Sequence, residues 1–308
     1  MAKKERNQVI LAKIETTYGT DPTPTGAANA ILATNIQAEP ILGTEVSRDL
    51  LLPYLGNQGM VLSGTYGRVR FEVEVAGAGA AGTAPKYGPL LRGCGMAEVI
   101  SAGTDVAYNF VSSAEEALTL WFFKDGIKHV LLGSRGSFTI EGSPNTIMRY
   151  VFTFTGLLGT ISDAAMPAVT LTGFIKPVPV NKANTTLTLH GHAGPCESFS
   201  FDSGIEIAPR LLINDEKIEI SDRMASGSVV FETASLATVD WFAKALANAT
   251  DDMAIVHGVT AGNIVEFNAP KVQVGRPTYG ATNKIMNNSI PLMFLPDDGN
   301  DEFEIVVK

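Results

Sequence analysis

The segment Gly67-Arg-Val-Arg-Phe-Glu-Val-Glu-Val75 decides the fold class. Its side chains alternate strictly. Val69, Phe71, Val73 and Val75 fall on one face, and Arg68, Arg70, Glu72 and Glu74 on the other. A period of two with one apolar face marks a half-buried β-strand.

The same texture extends outward. Leu118 to Phe123, then Lys124-Asp125-Gly126, then Ile127 to Leu132 reads as a hairpin with an Asp-Gly turn. Phe138 to Ile140 and Tyr150 to Thr155 flank a second turn cluster, Gly142-Ser-Pro-Asn145. Further strands are expected at 186–190, 198–207, 218–220, 229–232, 263–267, 290–295 and 303–307. Helices are few. Ser235 is placed to cap a helix over 236–248, and a shorter one is expected from about Pro85 to Cys94, stopped by Gly95. Neither belongs to a βαβ series, so the class is mainly β.

The composition fits a large β protein. The chain has 308 residues, 45% of them hydrophobic and only 18% charged, with net charge −9. Abundant apolar residues with little charge argue against disorder and for apolar surface covered by partners. The negative balance argues against tight nucleic-acid binding, because phosphate neutralisation needs clustered Lys and Arg. Only Lys3, Lys4 and Arg6 come close to such a cluster. No apolar run is long enough for a membrane span, and Val9 to Ala12 is too short for a signal-peptide core. Two cysteines, Cys94 and Cys196, make no disulfide framework and imply synthesis in a reducing compartment.

No motif assembles into a catalytic constellation. Gly77-Ala-Gly79-Ala-Ala-Gly82 has dinucleotide-binding spacing. A first Rossmann strand is buried on both faces, however, whereas here Glu72 and Glu74 alternate with valines. The glycines read as a small-residue loop. His190-Gly-His192 with Cys196 offers three zinc-type ligands and no fourth. Asp297-Asp-Gly-Asn-Asp-Glu302 fails the spacing of a calcium loop and reads as a hairpin turn. Cys94 sits with Leu90 and Leu91 on an apolar stripe, and Trp121 and Trp241 fall on core faces. The chain is therefore read as a non-enzyme without cofactor or metal.

A faint internal repeat runs through the chain. Gly67-x-Val69-x-Phe71-Glu72 matches Gly227-x-Val229-x-Phe231-Glu232. Upstream, Glu45-Val46 and Arg48 parallel Glu206-Ile207 and Arg210, and Ile147-Met148 parallels Ile285-Met286. The extended connector Phe174-Ile-Lys-Pro-Val-Pro-Val180 lies between. A tandem duplication predicts two domains, 1–175 and 176–308. The first carries an N-terminal arm, to about Asn35, and a long inter-strand loop. That loop holds Leu51, Leu52, Pro53, Tyr54 and Leu55, which are costly to leave in water.

These features resemble a known family. Lys13-Ile-Glu-Thr-Thr-Tyr-Gly-Thr-Asp-Pro-Thr-Pro24, Glu39-Pro-Ile41, Val46-Ser-Arg48 and the strand at 67–75 are similar to major tail tube proteins of long non-contractile-tailed bacteriophages. Gly82-Thr-Ala-Pro85 and Gly88-Pro-Leu-Leu-Arg-Gly-Cys-Gly-Met96 strengthen the likeness, which is best over residues 8–100. The resemblance implies two tandem β-sandwich domains, each with one flanking α-helix, contributing strands to an intersubunit β-barrel. It implies a structural subunit of the virion tail, made in the host cytoplasm, whose rings stack into a tube conducting DNA without specific binding. Trimeric pseudo-hexameric rings are expected for a tandem form, hexamers otherwise. Implied partners are further copies, a tape measure protein in the lumen, and tail terminator and distal tail proteins.

Within that picture Leu51 to Leu55 are expected to pack on the adjacent ring. Lys3, Lys4 and Arg6 are expected to meet the acidic stretch 297–304 between rings. Glu72, Glu74 and Glu232 are candidates to face an acidic lumen, which would let phosphate slide. The competing reading is a non-tube β-sandwich module of a virion or cell surface, an adhesin or carbohydrate-binding protein.

Overall fold

A computed structural model describes residues 2–308, and just over half the chain is in strands, with three short helices. The first half contains β1 (Gln8–Ile14), α1 (Gly26–Asn29), β2 (Ala30–Ile31), β3 (Thr34–Ser47) and β4 (Met60–Glu74). It continues with α2 (Gly88–Gly93), β5 (Met96–Ser101), β6 (Asp105–Phe110), β7 (Leu118–Lys124), β8 (Ile127–Gly142), β9 (Arg149–Leu158) and β10 (Ser162–Asp163). The second half contains β11 (Thr185–Leu189), β12 (Cys196–Asp202), β13 (Ile205–Leu212), β14 (Asp215–Arg223) and β15 (Ser226–Glu232). It ends with α3 (Trp241–Leu246), β16 (Thr250–His257), β17 (Val265–Val274), β18 (Thr278–Thr282), β19 (Ile285–Phe294) and β20 (Glu304–Val307).

Two antiparallel paths run across both halves. One is β3-β4-β9-β8-β12-β15-β19-β18. The other is β5-β6-β20-β17-β16-β11. They face each other as a sandwich. Phe110 of β6 lies 6.3 Å from Phe138 of β8, and Phe267 of β17 lies 6.2 Å from Tyr150 of β9. One apolar core spans both halves, from Ile10 through Phe71, Phe152 and Phe201 to Val307. The strand at 67–75 behaves as its alternation demands: Val69, Phe71, Val73 and Val75 are buried, and Arg68 and Arg70 are exposed.

The halves repeat one pairing order. The first reads β1-β7-β8-β9-β4-β3. The second reads β11-β16-β17-β19-β15-β12. The β7–β8 hairpin turns at Asp125-Gly126 with φ of +43° and +87°, as an Asp-Gly turn requires.

Several expectations change. Within the expected N-terminal arm, β1 pairs with β7 over its whole length and buries Ile10, Leu11 and Ala12. The helix expected at 236–248 shrinks to α3. Asp240 rather than Ser235 caps it, accepting the Ala243 N–H at 2.8 Å. Ser235 instead closes a turn, accepting the N–H groups of Thr238 and Val239. Helix α2 is likewise shorter than expected, and Gly95 at φ +70° ends it. The strand expected at 198–207 breaks at Ser203-Gly204, where Gly204 at φ +59° approaches Met224 closely. With Gly67 placed on Gly227, strand registers put Arg149-Tyr150, not Ile147-Met148, in the place of Ile285-Met286. Trp121 is only half-buried, donating to Asp21 at 3.1 Å with Lys128 over its ring. Trp241 is buried, stacked on Phe231 with planes 2° apart.

Candidate assembly surfaces

The motifs with chemical overtones are used structurally. The Gly77 N–H donates to Asn263 Oδ1 at 2.8 Å, and a Cβ there would meet the Gly262 carbonyl at 2.2 Å. Gly79 N–H donates to the Gly262 carbonyl at 2.7 Å. Gly82, at φ +68°, would strike the Gly103 backbone nitrogen at 2.2 Å. Gly77 and Gly79 thus let a loop of the first half seat against backbone of the second, and Gly82 seats the same loop against the β5–β6 turn. His190 Nε2 lies 2.8 Å from the Val272 carbonyl, and His192 stands edge-on to Trp241 and Phe231. Among the described residues, no group of three or more His, Cys, Asp or Glu is placed to hold a metal. Burial pushes the Cys94 thiol well above its usual range. Asp301 closes the acidic turn by accepting the N–H groups of Asp297, Asp298 and Gly299.

The quoted stretch Lys13 to Pro24 proves to be a knot. Glu15 accepts from the Thr119 hydroxyl, the Gly133 N–H and the Gly19 N–H at 2.6–2.7 Å. The Tyr18 hydroxyl accepts the Ile218 N–H at 2.6 Å and donates to the Gly133 carbonyl at 3.2 Å. Arg135 lies over the Tyr18 ring and donates to the Ile218 and Glu115 carbonyls. The knot therefore fixes the β13–β14 hairpin against β8. Sequence reading quoted Glu15 and Tyr18 without finding this role, because their partners are up to 200 positions away.

The largest unpartnered feature is the distal part of the β3–β4 hairpin. Residues 44–47 pair with 60–63, so the arm is a two-stranded ribbon. Its tip is closed by the Gln58 side chain, which accepts the Leu50 N–H at 2.5 Å and donates to the Leu50 carbonyl. Leu51, Leu52, Pro53, Tyr54 and Leu55 are all exposed, Leu51 and Leu55 at 101% and 102%. Val46, Met60, Val61 and Leu62 add apolar surface along the ribbon. At its root Gly64 abuts Leu211, whose hairpin ends in the exposed Ile213. A monomer does not leave this much contiguous apolar surface in water without a use for it.

The second feature is the face of the eight-strand path turned away from the core. Cross-strand registers put Arg68, Arg70, Glu72, Glu74, Glu39 and Arg149 there from the first half. They add Thr139, Glu141, Ser200, Asp202, Ser228 and Glu232 towards and across the junction. Carboxylates outnumber guanidinium groups on this face, and Ser and Thr fill much of the rest. Glu72 is half-buried and 3.5 Å from Arg149, whereas Glu232 is exposed. The three glutamates expected to share a surface therefore lie on one sheet face.

Within one chain the basic end meets Asp125 rather than the acidic stretch 297–304. Lys3 Nζ donates to the Asp125 carbonyl, and the Lys4 N–H and Asn7 amide donate to the Asp125 carboxylate. The Lys4 N–H and Asn7 hold that carboxyl below its usual range. Arg6 is exposed. At the other end Lys271 pairs with Asp297, and Arg223 pairs with the buried Glu302.

A family model described as phage tail tube protein matches residues 5–292. The chain belongs to the phage tail tube protein family. The match takes in the arm, the polar face and the strands of both halves. Among curated proteins, none matches the chain. Membership makes this tail tube protein a structural component of the virion tail, one that self-assembles into a tube with other tail proteins. No helix among the described residues is long and apolar enough to cross a membrane.

Proposed function

We propose that this tail tube protein forms closed rings that stack into a hollow, acid-lined conduit for the phage genome. The exposed apolar arm carries this reading. Burying a large aliphatic or aromatic side chain contributes roughly 1.5–3 kcal/mol, so Leu51, Leu52, Tyr54 and Leu55 at one tip supply a strong, non-directional contact for an adjacent ring. The polar face fits a lumen: carboxylates repel phosphate, and few cations are present to hold it by counterion release.

The repeated strand order supports a division into tandem units near Phe174–Val180, and hence rings of three chains with pseudo-sixfold symmetry. Such a ring has room for a tape measure protein while the tail grows in the host cytoplasm. Tail terminator and distal tail proteins close its two ends. Contacts between Lys4 or Arg6 and the acidic turn of the next ring add to the stack, although Lys3 already serves its own chain.

Sedimentation of purified protein tests the arm. Wild-type protein polymerises. The Leu52→Asp/Tyr54→Asp variant stays folded by circular dichroism and sediments as single rings or free chains. Normal polymers from that variant would remove the arm from the stacking contact.

A further inference from the structure

Both ends of the eight-strand path are open. Among the described residues β3 pairs only with β4, and β18 only with β19. Open edges of this kind are templates for another chain. The chain itself contains the pattern of how they are filled.

The two halves can be aligned strand by strand from one anchor, Val69 on Val229. Val69 faces Ala38 and Phe154, and Val229 faces Phe199 and Ile290. Ala38 therefore corresponds to Phe199, and Glu39 to Ser200. The same offset puts Glu45 on Glu206, a match also visible in the sequence. Irregularities coincide as well. A one-residue register shift falls between Thr34 and Gln37 on β3 and between Cys196 and Ser198 on β12. Another falls between Leu132 and Arg135 on β8, and between Val274 and Thr278 where β17 gives way to β18 on β19. By these registers Ile140 corresponds to Ala281 and Glu141 to Thr282, and the place after them, Gly142 in the first half, is taken by the β18–β19 turn at Asn283, φ +51°.

The halves are joined by β8 and β12, antiparallel, with Ile140 opposite Phe201, Glu141 opposite Ser200 and Gly142 opposite Phe199. We infer that β18 of one chain pairs with β3 of the next in the same register: Ala281 opposite Pro40 and Thr282 opposite Glu39, with the β18–β19 turn at Asn283 falling beside Ala38. This rests on the ring assembly proposed above and names the strands and residues that make it.

Two checks were not built into the alignment. First, faces match. Ala281 and Pro40 take the core-facing places of Ile140 and Phe201, while Thr282 and Glu39 take the polar places of Glu141 and Ser200. All four are exposed in the single chain. Second, the space at the end of the ladder fits. At the internal junction the Phe199 ring covers Gly142, where a Cβ would meet it at 2.1 Å. At the outer junction the residue in the place of Phe199 is the small Ala38, which leaves room for the β18–β19 turn, where Asn283 stands at φ +51°. Pro40, which has no N–H to give, and the register shift after Glu39 keep the outer ladder as short as the inner one.

Directly opposed Cβ atoms in an antiparallel pair lie about 4.5–5.5 Å apart, within reach of a thiol-bridging reagent such as dibromobimane. The experiment uses full-length Glu39→Cys/Thr282→Cys protein, assembled and then bridged. A non-reducing gel is expected to show a ladder of covalent oligomers ending at the ring's subunit number. Each single variant should give no ladder, nor should wild type, whose Cys94 is buried and Cys196 half-buried. Gln37→Cys/Thr282→Cys, two residues out of register on the same face, should bridge at least tenfold less. Tubes that form normally but yield no ladder, or bridge better through Gln37, overturn the register and leave the tube reading intact. Wild-type protein that forms neither rings nor tubes overturns both.

Discussion

The Tyr18 hydroxyl accepts a hydrogen bond from the backbone N–H of Ile218 at 2.6 Å, across 200 positions of sequence. Ile218 is fully buried, so its N–H has no water to turn to. This bond ties the segment that follows β1 to the hairpin flanking the arm. Tyr18→Phe should cost about 1–3 kcal/mol, the penalty for an unsatisfied buried donor. Equilibrium urea unfolding measures it, and an unchanged midpoint would mean the hairpin is held by other contacts.

The Gly77 to Gly82 loop is read as a seat for backbone, not for a nucleotide. Gly77→Val should then destabilise the fold by roughly 1–3 kcal/mol through overpacking, since even its Cβ falls 2.2 Å from the Gly262 carbonyl. ATP or NAD should leave the wild-type melting temperature where it is. A shift on adding either would restore a ligand role to the motif.

Acid should loosen the fold through its histidines. Burial holds the pKa values of His257, His129 and His192 below the ordinary value of 6.5. The unfolded chain therefore binds more protons than the folded one as pH falls below that value. Their contribution is complete above about pH 6.5 and declines as pH drops towards the folded-state values. Denaturation midpoints should fall between pH 7.5 and 5.5, and His257→Gln should show a smaller fall than wild type. Equal falls would place the acid sensitivity elsewhere.

Thiol chemistry offers a simple check of the core. Cys94 is fully buried, and burial pushes the Cys196 thiol up to about 11. Neither carries appreciable thiolate at pH 8. Native protein should resist iodoacetamide at both sites for hours, and denatured protein should be alkylated at both. Rapid labelling of native Cys94 would show that α2 opens readily.

What was readable in the sequence follows which surfaces are half-buried. The strand at 67–75 and the Asp125-Gly126 hairpin combine apolar alternation with a turn that admits positive φ, and both stand as read. Strand β3 is exposed over most of its length on both faces, so it has no apolar alternation to detect. Strand β18, exposed at all five positions, is silent for the same reason. Helix α3 was over-read because Leu236, Val239, Phe242 and Leu246 keep helical spacing, although Leu236 and Leu246 are exposed and the backbone before Asp240 forms a turn. Strand β1 gives no strand signal because it buries both faces, Ile10 to one cluster and Leu11 to another, and so lacks a polar stripe. The apolar tip at 50–55 is legible because five large hydrophobic residues in a loop are conspicuous in any fold. The glutamates of the polar face were legible by alternation, but the hydrogen-bond knot around Tyr18 depended on contacts that no local pattern encodes.

Negative-stain electron microscopy of the purified wild-type protein tests the central claim most directly. Stacked rings with a stain-filled axial channel are the predicted image. Dispersed single particles at every protein concentration, with no ring and no channel, would contradict it.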